Sequence, residues 1–459
     1  MSIVSFGSKS NPEWQQIQDE VTRHLVELIR IDTSNPPGNE GSALEYIADV
    51  LSEAGIDSRV LEMANGRPNL VARVKGSGAE KPLLLFGHID VVPAGRAGWT
   101  YEPFSGTVAD GFVWGRGAVD MKHIVAAMLT AVVRARRVGL ALQRDLIFAV
   151  TSDEESAGES GAAWLFREHP ELVSCAVAVT ESAPTFRYRD TDYFLIEVGQ
   201  KGWLTVDLVR RSAAGHSSLP SPDNCLFNAG AVLNALSRER FPHHATNSAQ
   251  LFIRSLAETQ PEPERSNLLS LLRPQCFREA LDALTCDART KTHLEAVLHS
   301  HATPTMISGG ESTWAIPNRV DIRLAGRVLP GQALEEWLEE LEGVIGPLGD
   351  HSLSDFDPGV EMPSDSQLFS VLAEIVRHHN PDARILPALS TAGGDARHPL
   401  LAGAECLGFF PIAPEPGVPD LMELAHGRDE RISIENLVRC VRYAWDVICA
   451  TNGLPLEAV

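Results

Sequence analysis

The sequence predicts an α/β fold: a mixed, largely parallel sheet flanked by helices, with a smaller α+β domain inserted into it. Through about residue 198, short apolar runs alternate with helical stretches. Strands and helices that alternate in this way form crossover units, which pair strands in parallel and cover both sheet faces. From residue 199 the pattern changes, and near residue 358 the first pattern resumes. We therefore predict one domain from residues 1–198 and 358–459 and an inserted domain from 199–357.

Periodicity gives the elements of the first domain in order. A helix from Trp14 to Ile31 has apolar residues on one face and ends at the NPPG turn that begins at Asn35. A second helix covers SALEYIADVLSEAG, and a third runs from Lys122 to Arg137. The predicted strands are SRVLEM, NLVARV, PLLLFGH, DLIFAVTS and CAVAVTES.

The inserted domain has a different pattern. GWLTVDLVRR and NRVDIRLAGRVLPG alternate like half-exposed strands, whereas NCLFNAGAVLNALS and QALEEWLEELEGVIG are typical of helices. This combination indicates a separate small α+β layer. The segment 241–301 is helical in places and rich in charge, and its pattern assigns it to neither domain.

Composition excludes several classes of protein. The 459 residues are 44% apolar and 22% charged, which is an ordinary globular balance. A net charge of -22 disfavours nucleic acid and anionic membranes as partners. The seven cysteines form no C-x-x-C pair, and no uncharged apolar run is long enough to span a bilayer. We therefore expect a cytoplasmic protein without nucleic-acid or membrane partners.

The residues that indicate chemistry are acidic residues and histidines that mostly follow predicted strands. They are His88, Asp90, Asp120, Glu154, Glu155, Glu181 and His426. Strand ends in such sheets form the crevice where ligands bind, so side chains far apart in sequence can converge there. Converging carboxylates repel one another unless cations offset them, and imidazole with carboxylate suits zinc or a similar divalent ion. Each residue alone is more commonly a loop or surface residue, as we interpret Glu423 and Asp429.

Six strings together resemble a known family. They are GHIDVVPAG, W-x-x-x-PFSG, DGFVWGRGAVDMK, SDEE, GGDAR and HGRDE, and they extend in order over almost the whole chain. These strings resemble the two-zinc exopeptidase and deacylase family that includes carboxypeptidase G, aminoacylase, succinyl-diaminopimelate desuccinylase and acetylornithine deacetylase. The resemblance implies a zinc-exopeptidase-like catalytic domain and an inserted lid or dimerisation domain.

The resemblance also implies roles for the site residues. His88 and Glu181 would hold one metal ion, Glu155 and His426 would hold the other, and Asp120 would bridge them. The ions would be zinc, with cobalt or manganese as alternatives. A hydroxide between them would attack the amide or peptide bond with Glu154 as general base. Asp90 would accept the imidazole proton of His88 and fix its tautomer. The Asp120-Met121 peptide bond would be cis.

A second set of residues is implied at the substrate. His216 would stabilise the oxyanion in the active site of the partner subunit, which requires a homodimer formed through the inserted domain. Asn318 would contact the substrate, and Arg397 would bind its carboxylate. The substrate would be a small molecule with a carboxylate, either an N-acyl amino acid or a dipeptide or short peptide cut at its C-terminal residue.

The chain departs from the family at three points. His123 and Ile124 stand where two glycines are usual, Ser182 stands where proline is usual, and GGDAR lacks the usual threonine. The alternative function is a catalytically silent binding or assembly module that kept the fold. A serine hydrolase is disfavoured because no G-x-S-x-G string is present.

Overall fold

The computed structural model describes residues 12–63, 66–95, 98–156, 158–182, 185–363, 366–415, 418–419 and 421–456. Its strands are β1 (Ser58–Glu62), β2 (Pro68–Val74), β3 (Glu80–His88), β4 (Thr107–Ala109), β5 (Phe112–Trp114), β6 (Arg144–Thr151), β7 (Val177–Glu181), β8 (Thr185–Tyr188), β9 (Thr191–Gln200), β10 (Gly202–Arg211), β11 (Gly215–His216), β12 (His301–Gly309), β13 (Ala315–Ile316), β14 (Arg319–Val328), β15 (His351–Asp357), β16 (Val360–Glu361), β17 (Ile385–Ser390), β18 (Glu405–Phe409) and β19 (Arg431–Ser433).

Its α-helices are α1 (Pro12–Arg30), α2 (Gly41–Glu53), α3 (Lys122–Arg137), α4 (Ala162–Glu168), α5 (Pro170–Val173), α6 (Cys225–Arg238), α7 (Asn247–Glu258), α8 (Glu264–Ser270), α9 (Phe277–Ala283), α10 (Ala288–Ala296), α11 (Leu334–Ile345), α12 (Leu368–His379), α13 (Arg397–Leu401), α14 (Leu421–Leu424) and α15 (Ile434–Thr451). Short 3-10 helices cover Glu154–Ser156 and Pro274–Cys276. Among the described residues, no helix is long and apolar enough to cross a membrane.

The larger sheet has ten strands and is mixed, as predicted. Its path is β1-β2-β6-β3-β7-β18-β9-β16, and β8 and β17 also pair with β9. The central strands β6, β3, β7 and β18 are parallel, whereas β1, β2, β8 and β16 pair antiparallel. The parallel centre brings the carboxyl ends of β6, β3 and β7 side by side, and this edge carries the predicted site.

Strand β3 is buried on both faces, which explains its nearly continuous apolar sequence. Leu83 and Leu85 join the core under α1, α3 and α15, whereas Leu84 and Phe86 join the core under α4 and α5. Helices on both faces therefore fix the strand in position and in register. The predicted fold class is confirmed.

A small three-stranded sheet joins two distant loops. It pairs β19 with β5 and β5 with β4, all antiparallel. Strand β5 leads into the loop that carries Asp120, and β19 follows the loop that carries His426. This pairing brings the two loops together although they are separated by about two thirds of the chain.

The residues 199–357 contain a second, wholly antiparallel sheet of order β12-β14-β10-β15. Helices α6 and α11 cover one face through a core that includes Leu204, Ile322 and Trp337. The opposite face carries ion pairs such as Arg323–Asp207. One apolar and one polar face explain the alternating sequences of β10 and β14.

The segment between α6 and β12 packs against the larger sheet. Helices α7 to α10 share a core with Tyr193 and Leu195 of β9 and with Leu386 of β17. The buried Glu264 at the start of α8 accepts a hydrogen bond from the Tyr188 hydroxyl at 2.7 Å. The part of the chain that its sequence pattern assigned to neither domain is therefore attached to the first one.

Two short segments join the larger sheet to the second sheet, one between β9 and β10 and the other between β15 and β16. They cross at Gly202. A Cβ atom on Gly202 would overlap the carbonyl oxygen of Asp357 and the backbone of Gly359. Because those atoms belong to backbone, they can move only with the second connecting segment.

We expect Gly202→Ala to lower the free energy of unfolding by ~1–3 kcal/mol through overpacking at this crossing. Chemical denaturation would measure it. Gly343→Ala is the control, because Gly343 lies on helix α11 and an added Cβ would meet no neighbouring group within 4 Å. The higher helix propensity of alanine should raise the free energy of unfolding by about 0.5–1 kcal/mol. Equal stability of the two variants would contradict the tight crossing.

Candidate metal centre

Three neighbouring strands bring the first group of side chains together. His88 ends β3, Glu181 ends β7, and Glu154 lies in the 3-10 helix that follows β6. The His88 Nε2 atom lies 3.3 Å from Glu181 Oε1 and 4.0 Å from Glu154 Oε2. The convergence expected from strand order is present in the structure.

Asp120 lies between two histidines. Its Oδ1 is 3.3 Å from His88 Nε2, and its Oδ2 is 3.1 Å from His426 Nε2. Each carboxylate oxygen thus faces a different imidazole, which is the arrangement needed for one carboxylate to serve two adjacent ions. The Asp120-Met121 peptide bond is cis, which confirms that expectation.

His426 completes a second group with Glu155. The distance from His426 Nε2 to Glu155 Oε2 is 3.0 Å. The structure therefore places His88 and Glu181 on one side of Asp120 and Glu155 and His426 on the other. Ligand atoms of His88, Asp120 and Glu155 all lie within 4.8 Å of one another.

The donor set fits divalent metal ions. The His88 Nε2 and Glu155 Oε1 atoms are buried and have no hydrogen-bond partner among the described residues. Buried polar atoms normally have a partner, so a pair left without one at a single site calls for an explanation. Imidazole nitrogens and carboxylate oxygens together are ligands for zinc, cobalt or manganese.

The electrostatics show how strongly the site attracts positive charge. Burial opposes protonation of His88, but Glu181, Asp120 and Asp90 outweigh it and raise its pKa well above the ordinary value. Hydrogen bonds to Asp120 and Glu155 raise the pKa of His426 to about 10. Burial raises the pKa of Glu181 to about 7. Without metal ions, protons on the imidazoles balance the carboxylates.

Asp90 supports both His88 and the glutamate loop. The His88 Nδ1 atom is 3.0 Å from the backbone oxygen of Asp90 and 3.5 Å from its carboxylate, so the carbonyl is the nearer acceptor. The carboxylate itself accepts hydrogen bonds from the backbone amides of Glu154 at 3.2 Å and Glu155 at 3.1 Å. Asp90 therefore fixes the imidazole mainly through its backbone.

Sequence reasoning missed Glu430. This fully buried carboxylate accepts hydrogen bonds from Arg116 Nη1 at 2.6 Å and from the amides of Gly117, Val119 and Asp120 at 3.0, 2.6 and 3.0 Å. Arg116 also donates to the His426 carbonyl at 3.2 Å. This pair fastens the loop that carries Asp120 to the loop that carries His426. Its only signal in the sequence is an acid at the end of HGRDE and an arginine in GRGAVD.

The other acids near His426 have different partners. Asp429 accepts a hydrogen bond from the Thr100 amide at 2.6 Å, and the exposed Glu423 pairs with Arg289 at 2.9 Å. Each therefore has a structural partner outside the metal group.

His216 and Asn318 lie on the inserted domain and are exposed. His216 belongs to the short pair β11–β13, and its Nδ1 accepts a hydrogen bond from the Ser218 hydroxyl at 2.7 Å. Asn318 immediately precedes β14, and its backbone oxygen accepts from the Ser212 amide at 3.2 Å. The side chains are thus presented at the surface of this chain.

Arg397 is buried where the two domains meet. Its guanidinium lies 4.0 Å from the centre of the Trp203 ring, its Nε is 3.1 Å from Asp357 Oδ1, and its Nη1 donates to the Gly394 carbonyl at 2.8 Å. Trp203 lies near the start of β10 and Asp357 ends β15, so both are next to the segments that join the two sheets. The guanidinium is therefore held by protein groups at the junction.

The departure at His123 leaves a buried, neutral imidazole. Burial lowers the pKa of His123 to about 3, and neither ring nitrogen has a hydrogen-bond partner among the described residues. The side chain occupies the first turn of α3 beside the Asp120 loop. Its presence removes none of the converging side chains.

Comparison with known proteins identifies the family. The profile of the peptidase family M20/M25/M40 matches residues 84–449. The chain is 27% identical over 420 residues to the N-fatty-acyl-amino acid synthase/hydrolase PM20D1 of Bos taurus, covering 88% of this chain and 81% of the relative. It is 36% identical over 200 residues to a succinyl-diaminopimelate desuccinylase of Cereibacter sphaeroides, covering 42% of this chain and 50% of the relative.

A solved structure agrees in fold. The M20 family metallo-carboxypeptidase Sso-CP2 from Sulfolobus solfataricus superposes with a TM-score of 0.72 at 18% identity, covering 94% of this chain and 98% of that chain. The chain belongs to the peptidase family M20/M25/M40, which confirms the resemblance in its sequence. It is accordingly a hydrolase of amide or peptide bonds from a metal-dependent family.

We expect zinc affinity to rise with pH up to about 10, because His426, with its pKa raised to about 10, must lose a proton before it binds a metal ion. Calorimetry in two buffers of different ionisation enthalpy would measure the proton released. In chelator-treated protein the same ion pairs stabilise the fold fully below the ordinary pKa of 6.5 and are lost as pH rises through about 10. Zinc affinity that stays constant from pH 6 to 9 would contradict this assignment.

Proposed function

We propose that this chain uses two divalent metal ions to hydrolyse an amide or peptide bond in a small substrate that carries a carboxylate. The observation that supports this most is the placement of Asp120 between His88 and His426, with Glu155 and Glu181 on the two outer sides. This placement would give each ion one histidine, one carboxylate of its own and the shared carboxylate.

His88 and Glu181 would hold one ion and Glu155 and His426 the other, with Asp120 shared. When bound, the ions supply positive charge that polarises the substrate carbonyl and makes a water molecule more acidic. Zinc suits this ligand set, and cobalt and manganese can occupy similar ones. Glu430 and Arg116 hold the Asp120 and His426 loops together, so both sides of the centre keep their spacing.

Glu154 is the proposed general base. It is next to the ligand Glu155 and its carboxylate lies on the same side as His88, at 4.0 Å. Burial raises its pKa well above the ordinary value, and the nearby carboxylates of Glu181, Asp395 and Glu155 add to that effect. A glutamate with a raised pKa takes a proton from the attacking water and then passes it to the leaving nitrogen.

Two substrate classes fit the site. Similarity over most of the chain to an N-fatty-acyl-amino acid synthase/hydrolase supports an N-acyl amino acid. Cleavage of a dipeptide or of a C-terminal residue is the second class. Arg397 is the predicted partner of the substrate carboxylate. Arg327, on strand β14, is another cation to consider. Burial lowers its pKa, and the charge of the Glu154 carboxylate opposes that shift.

We expect Glu154→Gln to lower kcat by about 10²–10⁴-fold, the usual contribution of a positioned base, while about two metal ions per chain remain bound. Hydrolysis of a panel of N-acyl amino acids and dipeptides would measure it, with metal content determined on the same samples. Glu159→Gln is the control, because Glu159 is exposed on the same loop.

A wild type that binds no metal and hydrolyses neither class, even after zinc or cobalt is added, would exclude the enzyme function and favour a silent binding module. Turnover confined to one class would identify the substrate group.

The proposed assembly is a homodimer formed through the inserted domain. Exposed apolar side chains occur on α6, where Phe227 is 67% exposed, and on the edge strand β12, where Met306 is 63% exposed. An edge strand and a neighbouring apolar patch are features that commonly pair with another chain. His216 is exposed on the same domain, which supports its proposed role in the active site of the partner.

Mixing two inactive variants tests this role. We expect His216→Ala and Glu154→Gln homodimers each to be nearly inactive, and their random reassortment to restore about a quarter of wild-type activity, since half of the dimers then hold one intact site. Activity would be followed after subunit exchange that is verified by mass spectrometry. Exchange without any recovered activity would show that His216 does not act in the partner.

The proposed location is the cytoplasm. The seven cysteines form no disulfide bond among the residues that the structure describes, and five of them are buried. Free buried thiols are typical of proteins that stay in a reducing compartment.

A further inference from the structure

We propose that Asn35, in the turn that ends helix α1, is a positioning residue for the metal centre and the general base. This inference rests on the proposed function. It assigns a chemical task to the NPPG string, which the sequence alone marks only as the end of a helix.

Asn35 joins two buried carboxylates. Its Nδ2 group donates to Asp90 Oδ2 at 2.8 Å and to Asp153 Oδ1 at 3.2 Å. Asn35 is 2% exposed and Asp90 is fully buried, so water does not replace this donor. One amide group therefore holds the two carboxylates at a fixed separation from each other.

Both carboxylates act on the loop that carries the two glutamates. Asp90 accepts hydrogen bonds from the amides of Glu154 and Glu155. Asp153 immediately precedes them, has a φ of 72°, and accepts a hydrogen bond from the Ser160 amide at 3.1 Å across the loop. A displacement of either carboxylate would therefore move the base and a metal ligand together.

Arg67 closes the network from the other side. Its Nη1 lies 3.0 Å from Asp153 Oδ1 and donates to Asn35 Oδ1 at 3.4 Å. Its Nε donates to the buried Glu40 at 3.2 Å. The charge of Arg67 is thus shared between Glu40 and Asp153. The side-chain amide of Asn35 is a neutral donor that lies between Asp90 and Asp153.

The same network reaches His88. Asp90 fixes the His88 Nδ1 atom through its backbone oxygen. The backbone amide of Asn35 donates a hydrogen bond to the carbonyl of Val91 at 2.9 Å. The turn therefore holds the segment 88–91 through both its backbone and its side chain. Residues that orient metal ligands in this way usually change metal affinity or activity by about 10- to 100-fold when they are altered.

The test is Asn35→Asp, which keeps the shape of the side chain but replaces the donor with a third carboxylate. We expect the dissociation constant for cobalt(II) to rise ~10- to 100-fold and kcat, measured at saturating metal, to fall by a similar factor. KM should change less than ~3-fold, because Asn35 contacts Asp90 and Asp153, which support a metal ligand and the base, rather than the substrate. Cobalt absorption spectra would report the altered ligand geometry.

Asn39→Asp is the matched control. It makes the same chemical change four residues further along the same turn, where the side chain is exposed and donates to the Asp32 carbonyl at 3.3 Å. It should bind cobalt and turn over substrate like the wild type. If Asn35→Asp does not fold by circular dichroism, Asn35→Ala, which adds no charge, takes its place with the same expected loss of metal affinity.

The outcomes separate the two proposals. A wild type that binds cobalt and turns over, together with a folded Asn35 variant of unchanged metal affinity and kcat, would overturn the positioning role and leave the proposed function standing. A wild type without bound metal or turnover would overturn both. A loss of thermal stability with normal metal affinity and kcat would show a purely structural role and would also overturn the inference.

Discussion

Mutual repulsion of carboxylates is the constraint on which the rest of this structure depends. Glu154, Glu155, Glu181 and Asp120 gather at the carboxyl ends of three adjacent strands, where burial weakens the screening of their charges. Burial is the main cause of the raised pKa of Glu181 and Glu154, and each neighbouring carboxylate makes their ionisation still less favourable. The two histidines offset part of this charge when they are protonated. Divalent ions would offset it without protons, and that exchange is the physical basis for a metal centre here.

The loops that carry these groups are held by two similar devices. In each, a buried glutamate pairs with an arginine: Glu430 with Arg116 and Glu40 with Arg67. Other donors of each arginine reach a loop of the site, Arg116 at the His426 carbonyl and Arg67 at Asp153. A buried ion pair stabilises a protein only when its remaining lone pairs and protons are also satisfied. Here most of them are satisfied by the loop backbone, by Asn35 and by Asp153, whereas Arg116 Nε has no hydrogen-bond partner among the described residues. The energy that would be lost by breaking either pair therefore favours one geometry of the site over others.

Much of the fold follows from the sequence because its central elements have local signals. Strand β3 and helix α3 were predicted within a few residues from apolar pattern alone, and His88 was placed at a strand end for the same reason. The helices α7 to α10 could not be assigned in advance, because their apolar faces complete a core with β9 and β17, which lie far away in sequence. Asn35, Arg67 and Glu430 were missed for a related reason. A polar residue has no periodicity, and its importance depends on partners that only the folded chain brings near.

Arg397 shows how one motif can connect the site to the domain junction. Its guanidinium stacks on Trp203 near the start of β10 and pairs with Asp357 at the end of β15. Asp395 in the same loop accepts a hydrogen bond from Thr151 at the end of β6. The loop therefore contacts the junction on one side and the end of strand β6, which precedes Glu154, on the other. A substrate carboxylate that binds the Nε edge of Arg397 would displace Asp357, so binding in that mode would be coupled to movement at the junction. Arg327 lies on strand β14 of the second sheet and is partly buried, and the charge of Glu154 opposes the lowering of its pKa by burial. The two arginines therefore differ in their surroundings: Arg397 is held at the junction by Trp203 and Asp357, whereas Arg327 lies on the second sheet.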